Sequence, residues 1–447
     1  MFWFLVLCFI VLTPPVLLYA SGYRWNWEEK KLELTGSIHV KASPSDTHIF
    51  VDGKALRYTS LLGGSALIKH VTPGEHTIRL EKYGYHPWEK KLLIKERETV
   101  SIPTIRLFPV TKAVDEILRW PDEEVAHGAV GTDKIIVAEK SPTGVILHKT
   151  QEENSEEIKI PIKNITSFNV SPQESKIIVF SPKDEWEILD ISATSSKSLL
   201  SQKQAKLKIS ETNFFWSPTD ENIFFFIDNG LLKKYLINQK SVQTVAQDIL
   251  SASLRQQEII VLDKKGRISR LTLEGRVTGR DLNQILFLGQ KTENGRFLFQ
   301  DDSVAFITSD RDLFWLDPDD RAMKPIAPKT DNALFDGKKR KILYWNDSEI
   351  WAYWLEEERV GIKKEKGRKE LIGRYFQPVK YAAWHPSGNY IFIAFPEKIL
   401  LVELDGRDRR NSYTFHEGKG IRYILVSENE DKLISVERNR IVEIDLQ

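Results

Sequence analysis

The sequence predicts an all-β protein led by one N-terminal transmembrane helix, with a small β-sandwich followed by a β-propeller of eight blades, seven being the alternative count. Three observations predict it. Residues 2–20 carry no charge; residues 36–107 alternate apolar and polar with period two; and eight short apolar runs recur from residue 134 onward with no amphipathic helix between them. The expected segments are an anchor at 1–22, a linker at 23–35, the sandwich at 36–109 and the propeller at 110–447.

The anchor comes first. "FWFLVLCFIVLTPPVLLYA", residues 2–20, would form a helix roughly 28 Å long, close to the hydrocarbon thickness of a bilayer. Trp3 stands at one end and Tyr19, Tyr23, Trp25 and Trp27 at the other, where interface-seeking aromatics belong. Pro14-Pro15 is tolerated better in a membrane span than in a soluble helix. A cleaved signal peptide is the rival, but no basic stretch precedes the run and Leu18-Tyr19-Ala20 lacks a small-x-small cleavage pattern. Leu7 before Cys8 does not suit a lipoprotein site either. Charge bias does not orient the span, because Arg24, Lys30 and Lys31 are offset by Glu28 and Glu29.

In the sandwich, Ile38 and Val40 share a face, as do Ile49 and Val51, with Asp52-Gly53 as a hairpin turn. Ile78 and Leu80 point inward from "EHTIRLEK", Gly84 turns a corner, and Leu92 and Ile94 face inward on the next strand. The stretches "GSIHVKASPSDTHIFVDGK" and "VTPGEHTIRLEKYGYHPWEKKLLI" resemble the PEGA domain, sharing its strand–Asp-Gly–strand opening and its Pro-Gly–strand–Lys-x-Gly-Tyr close. Here the turn reads Pro-Gly-Glu, and Ser60 stands where a Thr-Pro pair is common. The resemblance covers residues 36–107 and implies an extracytoplasmic, often membrane-tethered unit that is not catalytic. Tyr83, Tyr85 and Trp88 admit a ligand-stacking role; the plainer reading is that Tyr85 and Trp88 cover the edge of a small core.

The apolar runs are "KIIVAEK" (134), "KIIVFSP" (176), "NIFFFID" (222), "EIIVLDK" (258), "RFLFQDD" (296), "KILYWND" (341), "YIFIAFP" (390) and "KLISVER" (432). Such runs are covered on both faces, which without helices is what radially packed blades provide. Eight runs give about 42 residues each, a usual size for a four-stranded blade. "FNVSPQESKIIVF", "FFWSPTDENIFFF" and "AAWHPSGNYIFIA" share a proline turn ahead of the strand. They resemble the WSPDG-type repeats of bacterial propellers such as the periplasmic Tol-system propeller. Because the last copy runs out near Gln447, a strand from before residue 125 is expected to close the ring.

Composition excludes several classes. Lys+Arg total 64 and Asp+Glu 63, a net charge of +1, which gives no field to recruit nucleic acid. One cysteine, Cys8, rules out an internal disulfide and a cysteine zinc site. No HExxH, Walker loop, GxSxG elbow or EF-hand spacing occurs, and sialidase-type Asp boxes are absent; "TSDRDLFW" at 308 lacks the glycine. No catalytic residue, cofactor or metal is expected. Asp317, Asp319 and Asp320 in "LDPDDR", and the basic run 361–370, read as solvated turns, with an anionic-polymer contact the alternative for the latter. Trp345, Trp351, Tyr353 and Trp354 form the densest aromatic cluster. Core packing is the preferred reading, and stacking of carbohydrate or peptide on Trp345, Trp351 and Tyr353 is the candidate binding site.

The expected function is that of a non-enzymatic, membrane-anchored binding or scaffold protein facing out of the cytoplasm, its partner an envelope protein or glycan. Two alternatives stand beside it: a propeller enzyme acting on envelope glycan or peptide, and a periplasmic assembly factor for envelope proteins.

Overall fold

The computed structural model describes residues 2–26, 31–120, 125–130, 135–141, 144–151, 154–162, 165–182, 185–193, 196–211, 214–278, 281–284, 287, 292–293, 295–338, 340–359, 363–427 and 431–446. Trp27, Glu28, Glu29, Lys30, Lys134 and Gln447, named above, lie outside them. The chain is mostly β behind one apolar helix, α1 (Phe2–Ala20). That helix is long and apolar enough to cross a membrane, a property that a signal sequence shares.

A hairpin of β1 (Tyr23–Asn26) and β2 (Lys31–Leu34) leads from α1 into two facing sheets. One contains β6 (Ser65–Val71), β3 (Gly36–Ser43) and β9 (Thr99–Arg106), in that order; the other contains β5 (Lys54–Tyr58), β4 (His48–Val51), β7 (Gly74–Glu81) and β8 (Trp88–Ile94). Alternation sends Ile38, Val40, Ile49, Val51, Ile78, Leu80, Leu92 and Ile94 into one core, as their spacing predicts. Asp52 and Gly53 both adopt positive φ (52° and 75°), the twist a two-residue hairpin needs.

Beyond residue 110 stand separate small sheets, spanning 125–160, 167–201, 214–246, 249–271, 296–327, 332–374, 381–417 and 423–445. The last includes an early strand, β10 (Val114–Arg119), which pairs antiparallel with Arg440–Asp445. No sheet closes on itself among the described residues. Successive sheets instead share apolar clusters through their faces. Ile177 and Val179 pack toward Ile158 and Ile160, while their neighbours Ile178 and Phe180 pack the other way, toward Phe214 and Phe224. The same two-sided packing continues through 249–271, 296–327, 332–374 and 381–417 to 423–445. Strand alternation therefore explains the unbroken apolar runs from residue 176 onward: each of these runs feeds two different cores.

The shared turn also has a physical basis. The N–H of Ser171 donates to the carbonyl of Lys176, and Asp336 to Lys341, His385 to Tyr390 and Ser427 to Lys432 repeat this six-residue closure. In three of these turns the side-chain oxygen at the first position accepts the N–H at the sixth: Ser171, Asp336 and Ser427. One run departs from expectation. "RFLFQ" is the first strand of its sheet, and the central place belongs to Ser303–Ile307. The reason lies in burial: Val304, Ala305, Phe306 and Ile307 are all buried, whereas Arg296, Leu298, Phe299 and Gln300 are not. The two strands read much alike in sequence, three apolar residues in "RFLFQ" and four in "SVAFI", and burial tells them apart.

Candidate functional site

The densest buried polar chemistry in the described residues lies where the sandwich meets the 381–417 sheet. Strand β8 reads Trp88-Glu-Lys90-Lys-Leu92-Leu-Ile94, so period two puts Lys90 on the inward register with Trp88 and Leu92. Lys90 is 0% exposed. Its ammonium donates to the carbonyls of Asp405 (2.9 Å), Arg407 (3.0 Å) and Arg409 (2.6 Å), which takes up all three of its protons. Glu403 Oε2 lies 3.1 Å from Lys90 Nζ and neutralises the charge.

That carboxylate is itself fully engaged. Glu403 Oε1 accepts from Trp88 Nε1 (2.9 Å), and Oε2 accepts from Asn411 Nδ2 (2.8 Å). Around this centre, Lys91 N donates to Asp408 Oδ2, Tyr413 Oη donates to the carbonyl of Pro87, and the His86 ring stacks on Tyr413. Farther along, Arg106 Nη2 donates to the Leu446 carbonyl. Burial pushes the Tyr390 phenol well above its usual range, so it remains protonated; it accepts from Arg106 N and donates to Arg106 O. Phe108 then inserts its ring among Tyr390, Phe392 and Phe415 in the core shared by the last two sheets. A buried charge held by this many partners fixes one docking geometry, because any rotation would strand it in apolar surroundings.

His385 borders the same joint, its ring 5.5 Å from that of Phe108. Its Nδ1 accepts from Ser387 N, and its Nε2 has no partner. Burial, with the nearby Arg106 cation, depresses its pKa to about 3.

The sequence-derived candidates fall elsewhere. Trp345 is buried in the core between the 332–374 and 381–417 sheets, and Tyr353 is buried in the opposite core with Trp351 half-buried against it. Alternation splits the cluster between two faces, Trp345 on one and Trp351 with Tyr353 on the other. Asp317 is a correction: it is buried rather than solvated, and it accepts from Lys366 of the basic run at 2.8 Å. Lys366 also pairs with Asp319, and Lys364 with Glu370, so cations expected at a free tip are neutralised by neighbouring carboxylates. Gly361 and Ile362 of that run lie outside the described residues. Trp88 does close the small core, as expected, yet its N–H reaches a carboxylate 315 residues away. Sequence reasoning missed Lys90 altogether; a lysine on the apolar register of β8 was the available signal.

An open cleft of about 660 Å³ lies on the sandwich between His48, Tyr58, Arg79, Glu81, Tyr83 and Tyr85. His48 and Tyr58 stack at 4.3 Å, and Tyr83 is entirely exposed. No group of His, Cys, Asp or Glu suited to a metal occurs among the described residues.

No curated protein matches the chain. Among solved structures, one titled "Crystal structure of the eukaryotic initiation factor" is similar at 11% identity and a TM-score of 0.47, over 74% of this chain and 87% of its own. The computationally designed Ika8 protein is similar at 10% identity and 0.44, over 74% and 99%. At these scores neither likeness carries weight. Residues 35–107 match the PEGA domain, which suggests an extracellular, spacer-like unit for the part of the chain that bears Trp88 and Lys90.

Proposed function

We propose that this protein is a membrane-anchored, extracytoplasmic scaffold in which the PEGA sandwich holds an eight-bladed propeller at a fixed attitude, and that the propeller binds an envelope protein or glycan without catalysing a reaction. Eight small sheets packed face to face, with β10 completing the last, support the propeller. The observation that carries the scaffold reading is the Lys90–Glu403 joint. A spacer bonded to its neighbour through a fully buried lysine acts as a mount and not as a flexible tether.

The test is protease accessibility in cells whose outer barrier is permeabilised and whose cytoplasmic membrane is intact. Digestion should remove the β regions and leave an N-terminal fragment in the membrane fraction. Protection of the whole chain until lysis contradicts the reading. Crosslinking followed by pull-down should then recover the same envelope partner from independent preparations.

A further inference from the structure

The opposite edge of the sandwich is exposed, and its chemistry is distinctive. From Lys54 to Val71 the chain contains Lys54, Arg57, Lys69 and His70 and not one acidic residue. Every residue of β5 is exposed, although it belongs to a sheet whose far strand, β8, is buried in the joint. The loop that follows carries Leu61 and Leu62, the latter 104% exposed, and Leu56, Tyr58 and Leu67 extend the apolar surface beside it. Arg57 Nη1 donates to the Leu67 carbonyl at 2.9 Å, tying β5 to β6 across the gap between the sheets.

This edge is continuous with the apolar helix. The ring of His70, near the end of β6, lies 6.3 Å from that of Tyr19, in the last turn of α1. Arg24 places its guanidinium 3.6 Å over the Tyr19 ring and donates from Nη1 to the Tyr19 carbonyl. An aromatic and an arginine at the end of an apolar span mark the headgroup level. From there β6 leads about 20 Å to the Leu61-Leu62 loop.

We propose that the β5–loop–β6 edge lies along the membrane surface, with Leu61 and Leu62 in the outer acyl region, Tyr58 at the headgroups, and Lys54, Arg57 and Lys69 on anionic lipid. Exposed leucines beside Lys54, Arg57, Lys69 and a tyrosine suit an anionic bilayer, which offers apolar depth and negative charge together. A soluble partner would have to supply both. The inference rests on reading α1 as an uncleaved anchor. Because β8 is locked into the large region, seating β5 on the membrane also sets the direction in which that region faces.

The test uses the full chain in vesicles of phosphatidylcholine and phosphatidylglycerol, in a Cys8→Ala background. An environment-sensitive fluorophore is attached singly at Leu62→Cys, Ile10→Cys or Phe376→Cys, with a headgroup-proximal spin-labelled lipid and a deep one as quenchers. The proposal expects quenching by the shallow lipid at position 62, by the deep lipid at position 10, and none at position 376. Quenching at 62 should weaken about two-fold or more in phosphatidylcholine alone. Lipid contact at 10 with water at 62 overturns the proposal while the anchor stands; water at both positions overturns the anchor as well. A change at 62 that grows with protein density and ignores lipid quenchers assigns the edge to a second copy and also overturns it. Leu62 is fully exposed in a loop, so its replacement leaves the fold intact.

Discussion

The two edges of one small sheet differ as sharply as any two regions of this molecule. Strand β8 buries Trp88, Lys90, Leu92 and Ile94; three strands away, β5 buries nothing. At the β8 edge a charge is withdrawn from water and satisfied by three carbonyls and a carboxylate. At the β5 edge, charges and leucines alike face outward. A domain this small has a marginal core of its own, so docking through β8 adds stability at that edge which exposed β5 lacks.

The largest test of that contrast is Lys90→Ala. It leaves Glu403 buried with its cation removed and should destabilise the joint by about 3–5 kcal/mol. Hydrogen exchange should accelerate across 403–411 and β8 while the 167–246 sheets keep their protection. Uniform exchange across both regions would mean that the joint is not a separate unit of stability.

Acid should loosen the same side. In the unfolded chain His385 titrates near 6.5, and in the folded chain near 3. Between those values the unfolded state binds a proton that the folded state refuses, so stability falls as pH drops from about 6.5 toward 3. The slope is on the order of 1 kcal/mol per pH unit. His385→Ser, which places there the residue found at the first position of the Ser171 and Ser427 turns, should flatten the slope measured by urea unfolding across that window. An unchanged slope would assign the acid sensitivity to other groups.

The smallest effect belongs to the free edge. Leu62→Ser should change unfolding stability by less than about 0.5 kcal/mol in detergent, because the side chain touches little that the fold needs. A larger loss would show that this loop is part of the core after all.

Most of the fold is legible in the sequence because alternation is a local signal. Ile38, Val40, Ile78 and Leu80 announce their face within a few residues, and so do the paired cores behind "KIIVF". The central strand at 303–307 was hidden because the apolar edge strand at 296–300 stands just before it and reads much like it in sequence. The joint was hidden for a different reason. Trp88 and Lys90 meet partners more than 300 residues away, and no local pattern encodes which carboxylate or carbonyl they will find. The same holds for Asp317 and Lys366, which read as two solvated turns until adjacent sheets bring them together.

The most direct measurement of the fixed mount is a spin-label distance distribution between Tyr83→Cys on the sandwich and Phe376→Cys on the large region, both fully exposed, in a Cys8→Ala background. A single narrow distribution that broadens on Lys90→Ala is the predicted result. A broad distribution in the parent protein, unaltered by that substitution, would contradict it.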